Sequence, residues 1–171
     1  MSDTVTTTPD GQLDPTRQRV FMVVVDDSEE MLVALRYASL RAKSTGGRVA
    51  LFRDIEPAAG GFHHWAGVGE LMEDEARIAA EHRLTELAEV VVELSGQIPA
   101  LYVRAGSIVQ ELVALIDEEP SISILILAAG TDKKGPGPLV SFLAGKGANS
   151  LRIPVTIVPG TLTNEEIGAL T

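Results

Sequence analysis

The stretch VVVDDSEE at residues 23–30 decides the fold of this chain, because a buried strand here passes directly into a helix. The apolar run of residues 20–25 is uninterrupted and rich in β-branched side chains, which predicts a strand over residues 19–25 that is buried in a sheet. Asp27 or Ser28 then caps a helix that extends to about residue 43. A strand that ends on carboxylates and turns into a helix is a common way to build a ligand site at the edge of a parallel sheet.

The rest of the chain continues to alternate between strands and helices. Further strands are predicted at residues 48–53, 100–104, 122–129 and 154–158. Helices are predicted at residues 70–94, 108–118 and 139–151, and a short terminal helix follows the capping box at residues 163–166. Residues 55–68 are predicted to form a loop. Five strands joined by helices predict an α/β fold with a doubly wound parallel sheet and helices on both faces. We expect the strand order 3-2-1-4-5, in which the first and fourth strands flank the topological switch point.

Composition narrows the class of function. The 171 residues carry 14 Lys and Arg against 24 Asp and Glu, a net charge of −10, which argues against binding to nucleic acid or to an anionic membrane. The chain has no cysteine, which excludes disulfides and thiolate catalysis. Its apolar runs are too short to span a membrane. Residues 1–18 lack an apolar signal core and read as a disordered arm before a domain at residues 19–160 and a tail at residues 161–171, so we expect a cytoplasmic protein.

Two known families resemble the aspartate pair and its surroundings. Receiver domains of response regulators begin with a similar string and phosphorylate an aspartate at the end of the third strand. Here the third strand ends on residues 103–106 without an aspartate, and Pro159 and Gly160 follow the last strand where a lysine is expected. Asp54 ends the second strand instead. The receiver resemblance therefore covers one short string, and a phosphoreceiver is the minor alternative.

The second resemblance covers nearly the whole chain from residue 19 to residue 160, and it is to the universal stress proteins. Their pattern has a strand ending in Asp-x-Ser-Glu, an alanine-rich helix, a glycine after the third strand and a final Pro-Val-x-Val-Val strand. This chain has Asp26 to Glu29, Gly106 and Pro154 to Val158 in those places. The resemblance implies an adenine nucleotide alpha hydrolase-like fold, a role in the stress response, and a homodimer formed through the last strand.

The nucleotide-binding branch of that family carries G-x2-G-x9-G-S/T after the fourth strand, with glycines that let backbone amides approach phosphates and ribose. Placed without a gap, the glycine positions fall on Ala128, Thr131 and Ser141, and the hydroxyl position falls on Phe142. All three glycines are thus replaced. Two interpretations stay open: a solvated turn before a helix, or a phosphate-binding loop of different geometry in which Ser141 donates its hydroxyl and lysines supply charge, namely Lys133, Lys134 and Lys146.

The candidate site is a crevice at the carboxyl ends of the first and fourth strands. We expect Asp26 to contact the ligand, and Asp27 and Ser28 to cap the helix. Asp54 is a candidate for a ribose hydroxyl or simply a solvated acid. Adenine nucleotides, ATP or AMP with Mg²⁺, are the candidate ligands. The complete set of candidate site residues is Asp26, Asp27, Ser28, Asp54, Gly106, Ala128, Ala129, Gly130 and Ser141.

The other polar clusters of the sequence do not match a metal-binding or catalytic pattern. His63 and His64 lack a third ligand at a suitable spacing, so we predict no metal site there, and Trp65 is expected to anchor the loop. The sequence has no Ser-His-Asp arrangement and no Walker lysine, which favours a binding protein over an enzyme. We therefore carry two main hypotheses: an adenine nucleotide-binding stress protein, and a nucleotide-independent stress factor that acts through contacts with an unspecified protein. An apolar edge strand at residues 154–158 favours a homodimer in either case.

Overall fold

The computed structural model describes residues 18–56 and 66–171. Its five strands form one parallel sheet in the order β3-β2-β1-β4-β5, which confirms the predicted topology. The strands are β1 (Val20–Val24), β2 (Arg48–Ile55), β3 (Ala100–Ala105), β4 (Ile122–Ala129) and β5 (Val155–Pro159). The helices are α1 (Glu29–Thr45), α2 (Ala66–Ser95), α3 (Ile108–Glu118), α4 (Pro138–Ala144) and α5 (Asn164–Leu170). Among these helices, none is long and apolar enough to cross a membrane.

The hydrophobic core lies in two layers, one on each face of the sheet. Side chains of a strand alternate between faces, so Phe21 and Val23 pack on the side of α1 and α2, whereas Met22 and Val24 pack on the side of α3 and α4. Both faces of β1 are buried because it is central and carries an uninterrupted apolar run. This burial holds the carboxyl end of β1, with its two aspartates, in a fixed position.

Helix α1 begins and ends where its sequence has strong signals. The Ser28 hydroxyl accepts a hydrogen bond from the backbone N–H of Met31, which confirms Ser28 as the N-cap. Gly46 ends the helix in the left-handed region at φ 69°, two residues later than predicted. At the next position, Gly47 fits where a Cβ would lie 2.8 Å from the carbonyl oxygen of Arg19.

Two predicted boundaries are wrong. Helix α4 ends at Ala144 and is followed by a short 3₁₀ turn (Ala148–Ser150), whereas the sequence predicted one helix over residues 139–151. Gly145 has φ −114° and ψ −114°, outside the helical region, because glycine has little preference for helix. The predicted bounds of the loop at residues 55–68 are also wrong, since Ile55 belongs to β2 and Ala66 begins α2.

The chain ends with α5 packed against α1 rather than along the free edge of β5. The predicted capping box is confirmed: Thr163 and Glu166 exchange side chain-to-backbone hydrogen bonds, and Ile167 is buried in the contact. Strand β5 pairs with β4, and within the part of the chain that the structure describes no strand pairs with its other edge. Ile157 on β5 is 39% exposed.

Candidate functional site

A crevice opens where β1 and β4 part, and it consists of two adjoining hollows. The inner hollow has a volume of about 220 Å³ and the outer hollow about 470 Å³. Asp26, Ala128 and residues 136–138 of the β4–α4 loop line both. The inner hollow is walled mainly by apolar side chains, which are Val24, Val25, Ile108, Leu127, Leu139 and Val140. This position, beyond the carboxyl ends of the strands at the switch point, is where doubly wound sheets bind ligands.

Asp26 lies in the crevice, and it also organises the start of α1. One oxygen, Oδ1, accepts hydrogen bonds from the backbone N–H of Ser28 at 2.9 Å and from the Ser28 hydroxyl at 2.5 Å. The turn is therefore held by Asp26 itself, and Ser28 in turn caps the helix. Because the Asp26 side chain is exposed to the crevice, a ligand placed there meets a carboxylate in a fixed orientation.

Asp27 takes no part in capping, contrary to the sequence-based expectation. Its carboxylate accepts two hydrogen bonds from the guanidinium of Arg53 on β2, at 2.9 and 2.8 Å. These hydrogen bonds are the main cause that lowers the pKa of Asp27, and Asp27 in turn raises the pKa of Arg53. The pair lies on the α2 side of the sheet beside Arg83, because neighbouring residues at the end of a strand point to opposite faces.

Asp54 lies one residue before the end of β2 and lines the inner hollow with Asp26. Arg53 does not line this hollow, but Asp54 also lies beside Arg53 on the α2 side, and the positive charge of Arg53 partly opposes the effect of burial on the pKa of Asp54. Asp54 is half-buried, and burial raises its pKa. The inner hollow therefore combines apolar walls with two carboxylates, one of which loses charge more readily than an exposed acid.

The raised pKa of Asp54 gives a prediction on stability. A carboxyl group whose pKa is higher in the folded state than its ordinary value of 3.8 destabilises the protein once it ionises, so stability falls as pH rises through this range. We expect Asp54→Asn to raise the melting temperature at neutral pH, with the difference from wild type vanishing below about pH 3.8. Thermal unfolding of both proteins across pH would check this. A constant difference at every pH would contradict it.

The β4–α4 loop is tied to α1 by Glu30, a residue that the sequence did not single out. Glu30 Oε1 accepts hydrogen bonds from the backbone N–H of Thr131 at 3.0 Å and from its hydroxyl at 2.6 Å. The hydroxyl is the main cause that lowers the pKa of Glu30. Gly160 makes room for this contact, since a Cβ there would overlap the Cβ and Cγ of Glu30. Glu30 and Thr131 are 101 positions apart, so no local spacing could have revealed the pair.

The glycines of the β4–α4 loop allow the tight turns that the loop makes. Gly130 N–H donates to the Pro136 carbonyl at 3.2 Å, and a Cβ on Gly130 would lie 2.8 Å from the carbonyl oxygen of Gly135. Gly135 and Gly137 have φ of 92° and 102°, a region that favours glycine. Of the three lysines considered for phosphate, Lys134 lines the outer hollow; Ser141 also lines it.

The remaining candidate residues lie near the crevice but do not line either hollow, as far as residues 18–56 and 66–171 are concerned. Gly106 has φ 145°, and its N–H donates to the Ile55 carbonyl at 3.2 Å. The carbonyl of Ala129 accepts from the N–H of Gly160 at 3.2 Å. His63, His64 and Trp65 lie outside the described residues, as do residues 1–17 of the predicted arm.

The pattern of strands, caps and loops that surrounds the crevice runs from residue 18 to residue 159, and the model of the universal stress protein family matches this whole stretch. The chain belongs to the universal stress protein family. This confirms the resemblance seen in the sequence. Among curated protein sequences, none matches the chain.

Solved structures show the same fold for this universal stress protein. The universal stress protein UspA from Lactobacillus plantarum has a TM-score of 0.70 at 15% identity, covering 83% of this chain and 98% of its own. A universal stress protein solved in complex with cAMP has a TM-score of 0.59 at 16% identity, covering 85% and 99%. One from Archaeoglobus fulgidus, solved in complex with dAMP, has a TM-score of 0.53 at 17% identity, covering 82% and 96%.

The acidic residues of the crevice bear on whether this universal stress protein could hold a metal ion. Within the described ranges, no group of three or more His, Asp or Glu side chains lies close enough to hold a metal ion. Asp26 and Asp54 share the inner hollow as a pair. Mg²⁺ in nucleotide sites is usually bound by one or two carboxylates together with substrate phosphates. A pair of carboxylates is therefore better suited to Mg²⁺ that is also bound by nucleotide phosphates than to Mg²⁺ that is bound by the protein alone.

Proposed function

We propose that this universal stress protein binds an adenine nucleotide, such as AMP or ATP, in the crevice between β1 and β4. The observation that carries the proposal is the inner hollow, with apolar walls and two carboxylates at the switch point. An adenine ring packs well between aliphatic side chains such as Val24 and Leu127. The Asp26 and Asp54 carboxylates are acceptors for its exocyclic amine and for ribose hydroxyls.

Two related structures support the class of ligand. Universal stress proteins of the same fold were solved with cAMP and with dAMP, both adenine nucleotides with one phosphate. In this chain the phosphate end of a nucleotide would extend into the outer hollow, beside Lys134 and Ser141. With ATP, Mg²⁺ would enter on the phosphates and find Asp26 at the junction of the two hollows.

The proposed cellular role follows from the family. Nucleotide binding without a catalytic arrangement suits a regulatory or protective protein of the stress response, and we place it in the cytoplasm. Native mass spectrometry of the freshly purified protein, followed by calorimetric titration with AMP, tests the proposal. A co-purified adenine nucleotide or a saturable titration is the expected result. An empty protein that gives no heat with millimolar AMP would reject it.

A second function is favoured by a separate observation. Helix α2 exposes large apolar side chains, among them Leu71, Met72 and Ile78, the last of which is 66% exposed. Leu71 and Ile78 are seven positions apart and so share one face of the helix, and contiguous exposed apolar surface is typical of contacts between proteins. In this alternative the protein acts as a nucleotide-independent stress factor through a protein partner. Loss of the titration with AMP, together with a stable complex recovered from stressed cells, would favour it.

We also propose that the protein forms a homodimer through β5. Strand β5 pairs with β4 on one side, Ile157 is exposed, and α5 lies against α1 instead of covering this edge. Among residues 18–56 and 66–171 no strand pairs with the outer side of this edge. An open apolar edge favours pairing with a second strand, and a two-fold arrangement would protect both edges at once. We propose this dimer whether or not a nucleotide binds.

A charge on β5 tests the dimer. Val155 packs against the core layer of α3 and α4, so Ile157 is the better position. We expect Ile157→Lys to shift a dimer of the 18.1 kDa chain toward monomer, because a lysine on an edge strand disfavours pairing with another strand. Light scattering at several concentrations measures this, with Leu170→Lys on the exposed end of α5 as the control. A wild-type protein that stays monomeric at high concentration would reject the interface.

A further inference from the structure

Glu30 places a carboxylate of the protein itself at the outer hollow, where it holds two hydrogen-bond donors of the β4–α4 loop. Its Oε1 takes both the backbone N–H and the hydroxyl of Thr131, at 3.0 and 2.6 Å. Glu30 also lines the outer hollow with Asp26 and Ser28. One negatively charged group therefore already holds the donors that an incoming anion would seek.

Three further amides of this loop are engaged within the protein. Lys134 N–H donates to Asp132 Oδ1 at 2.8 Å, Gly135 N–H donates to the Asp132 carbonyl at 3.2 Å, and Gly130 N–H donates to the Pro136 carbonyl. Phosphate groups bind where backbone N–H groups converge on open space. These three N–H groups and that of Thr131 donate instead to carboxylates and carbonyls of the loop and of α1.

The charge of the outer hollow also disfavours the binding of an anion. Its charged lining residues in the described part of the chain are three carboxylates, Asp26, Glu30 and Asp132, and one ammonium group, Lys134. The carboxylates that line the hollow repel a further negative charge that enters it. The inner hollow does not share this penalty toward a neutral ring, because its walls are mainly apolar and its two carboxylates are hydrogen-bond acceptors.

We propose that Glu30 is an internal anion that takes the place of a nucleotide phosphate, so that the crevice recognises the nucleoside and discriminates against each added phosphate. The inference rests on the proposed function, because it concerns the same crevice. It makes affinity fall from adenosine to AMP and from AMP to ATP. Glu30 is then the residue that determines specificity between nucleosides and nucleotides, acting through Thr131 and through its own charge.

Calorimetric titrations with adenosine, AMP and ATP, in EDTA to remove divalent cations, test the inference on wild type and Glu30→Ala. Wild type should bind adenosine at least about tenfold more tightly than ATP. Glu30→Ala should reduce that ratio about tenfold, through tighter ATP binding with adenosine affinity unchanged. Glu29→Ala is the matched control, since it removes the same charge from the same turn of α1 but is not a lining residue of either hollow, and its ratio should stay close to that of wild type.

Glu30→Gln separates charge from loop structure, because it removes the charge while its amide oxygen still accepts from Thr131. It should reduce the ratio in the same direction, and it carries the test if Glu30→Ala fails to fold. ATP binding to wild type as tightly as adenosine overturns the inference and leaves the proposed function standing. A ratio unchanged in both Glu30 variants also overturns it. A wild-type protein that binds none of the three ligands overturns the inference and the proposed function together.

Discussion

Asp26→Ala should weaken AMP binding by about 1.5–3 kcal/mol, on the order of ten- to a hundredfold in Kd. The carboxylate lies at the junction of the two hollows, where it is a charged acceptor for a hydrogen bond from the ligand. Ser28 holds its orientation through two hydrogen bonds, so little freedom is lost when a ligand binds. Calorimetric titration of the folded variant measures the effect.

The neighbouring residue supplies the control for this experiment. Asp27→Ala removes the same charge one position away, but Asp27 pairs with Arg53 on the α2 side of the sheet. Its affinity for AMP should stay within about twofold of wild type, since Asp27 lines neither hollow and its charge is already paired with Arg53. Equal losses in both variants would mean that net charge, rather than contact with Asp26, governs binding. Unchanged affinity in Asp26→Ala would remove this residue from the site.

The second large effect is expected at Gly47, between α1 and β2. A Cβ here would lie 2.5 Å from Cε2 of the Phe21 ring and 2.8 Å from the carbonyl oxygen of Arg19. That carbonyl also accepts the Arg48 N–H at 2.8 Å, so the backbone cannot move away without disturbing the pairing of β1 with β2. Gly47→Ala should therefore lower the free energy of unfolding by about 1–3 kcal/mol, as overpacking of a core does.

Gly168→Ala is a comparison variant that should raise the free energy of unfolding, whereas Gly47→Ala should lower it. Gly168 lies in α5, and a Cβ there meets nothing within 4 Å. Alanine is the better helix former, so this variant should gain up to about 1 kcal/mol in stability. Urea denaturation of both variants with wild type measures the two changes. A loss at Gly168 as large as that at Gly47 would show that glycine itself, rather than the space beside it, decides both results.

The topology was predictable because its signals are local. Aliphatic strands such as residues 122–129 and strong helix signals at Ser28 and Gly46 recur along the chain, and parallel connection then leaves few arrangements. The failure at α4 has a local cause as well: apolar spacing favoured a long helix, and Gly145 with Gly147 overruled it.

The candidate site was predictable only in part. Asp26 could be placed because the strand before it is buried and ends at the switch point. The sequence could not distinguish the two roles open to Asp27, since an acid before a helix is equally suited to capping it or to pairing with an arginine on the next strand. Arg53 settles this by its position on β2. Glu30 and Thr131 belong to distant parts of the chain, and only the folded arrangement brings them together.

The opposite orientations of Asp26 and Asp27 separate two tasks within one dipeptide. One carboxylate lines the crevice and holds the turn before α1, and the other fastens β1 to β2 on the reverse side through Arg53. The crevice side also carries structural contacts, because Asp26 holds Ser28 and Glu30 holds Thr131. A designer who wishes to retarget the crevice can leave Asp27 and Arg53 untouched, but has to choose replacements for Asp26 and Glu30 that keep these hydrogen bonds.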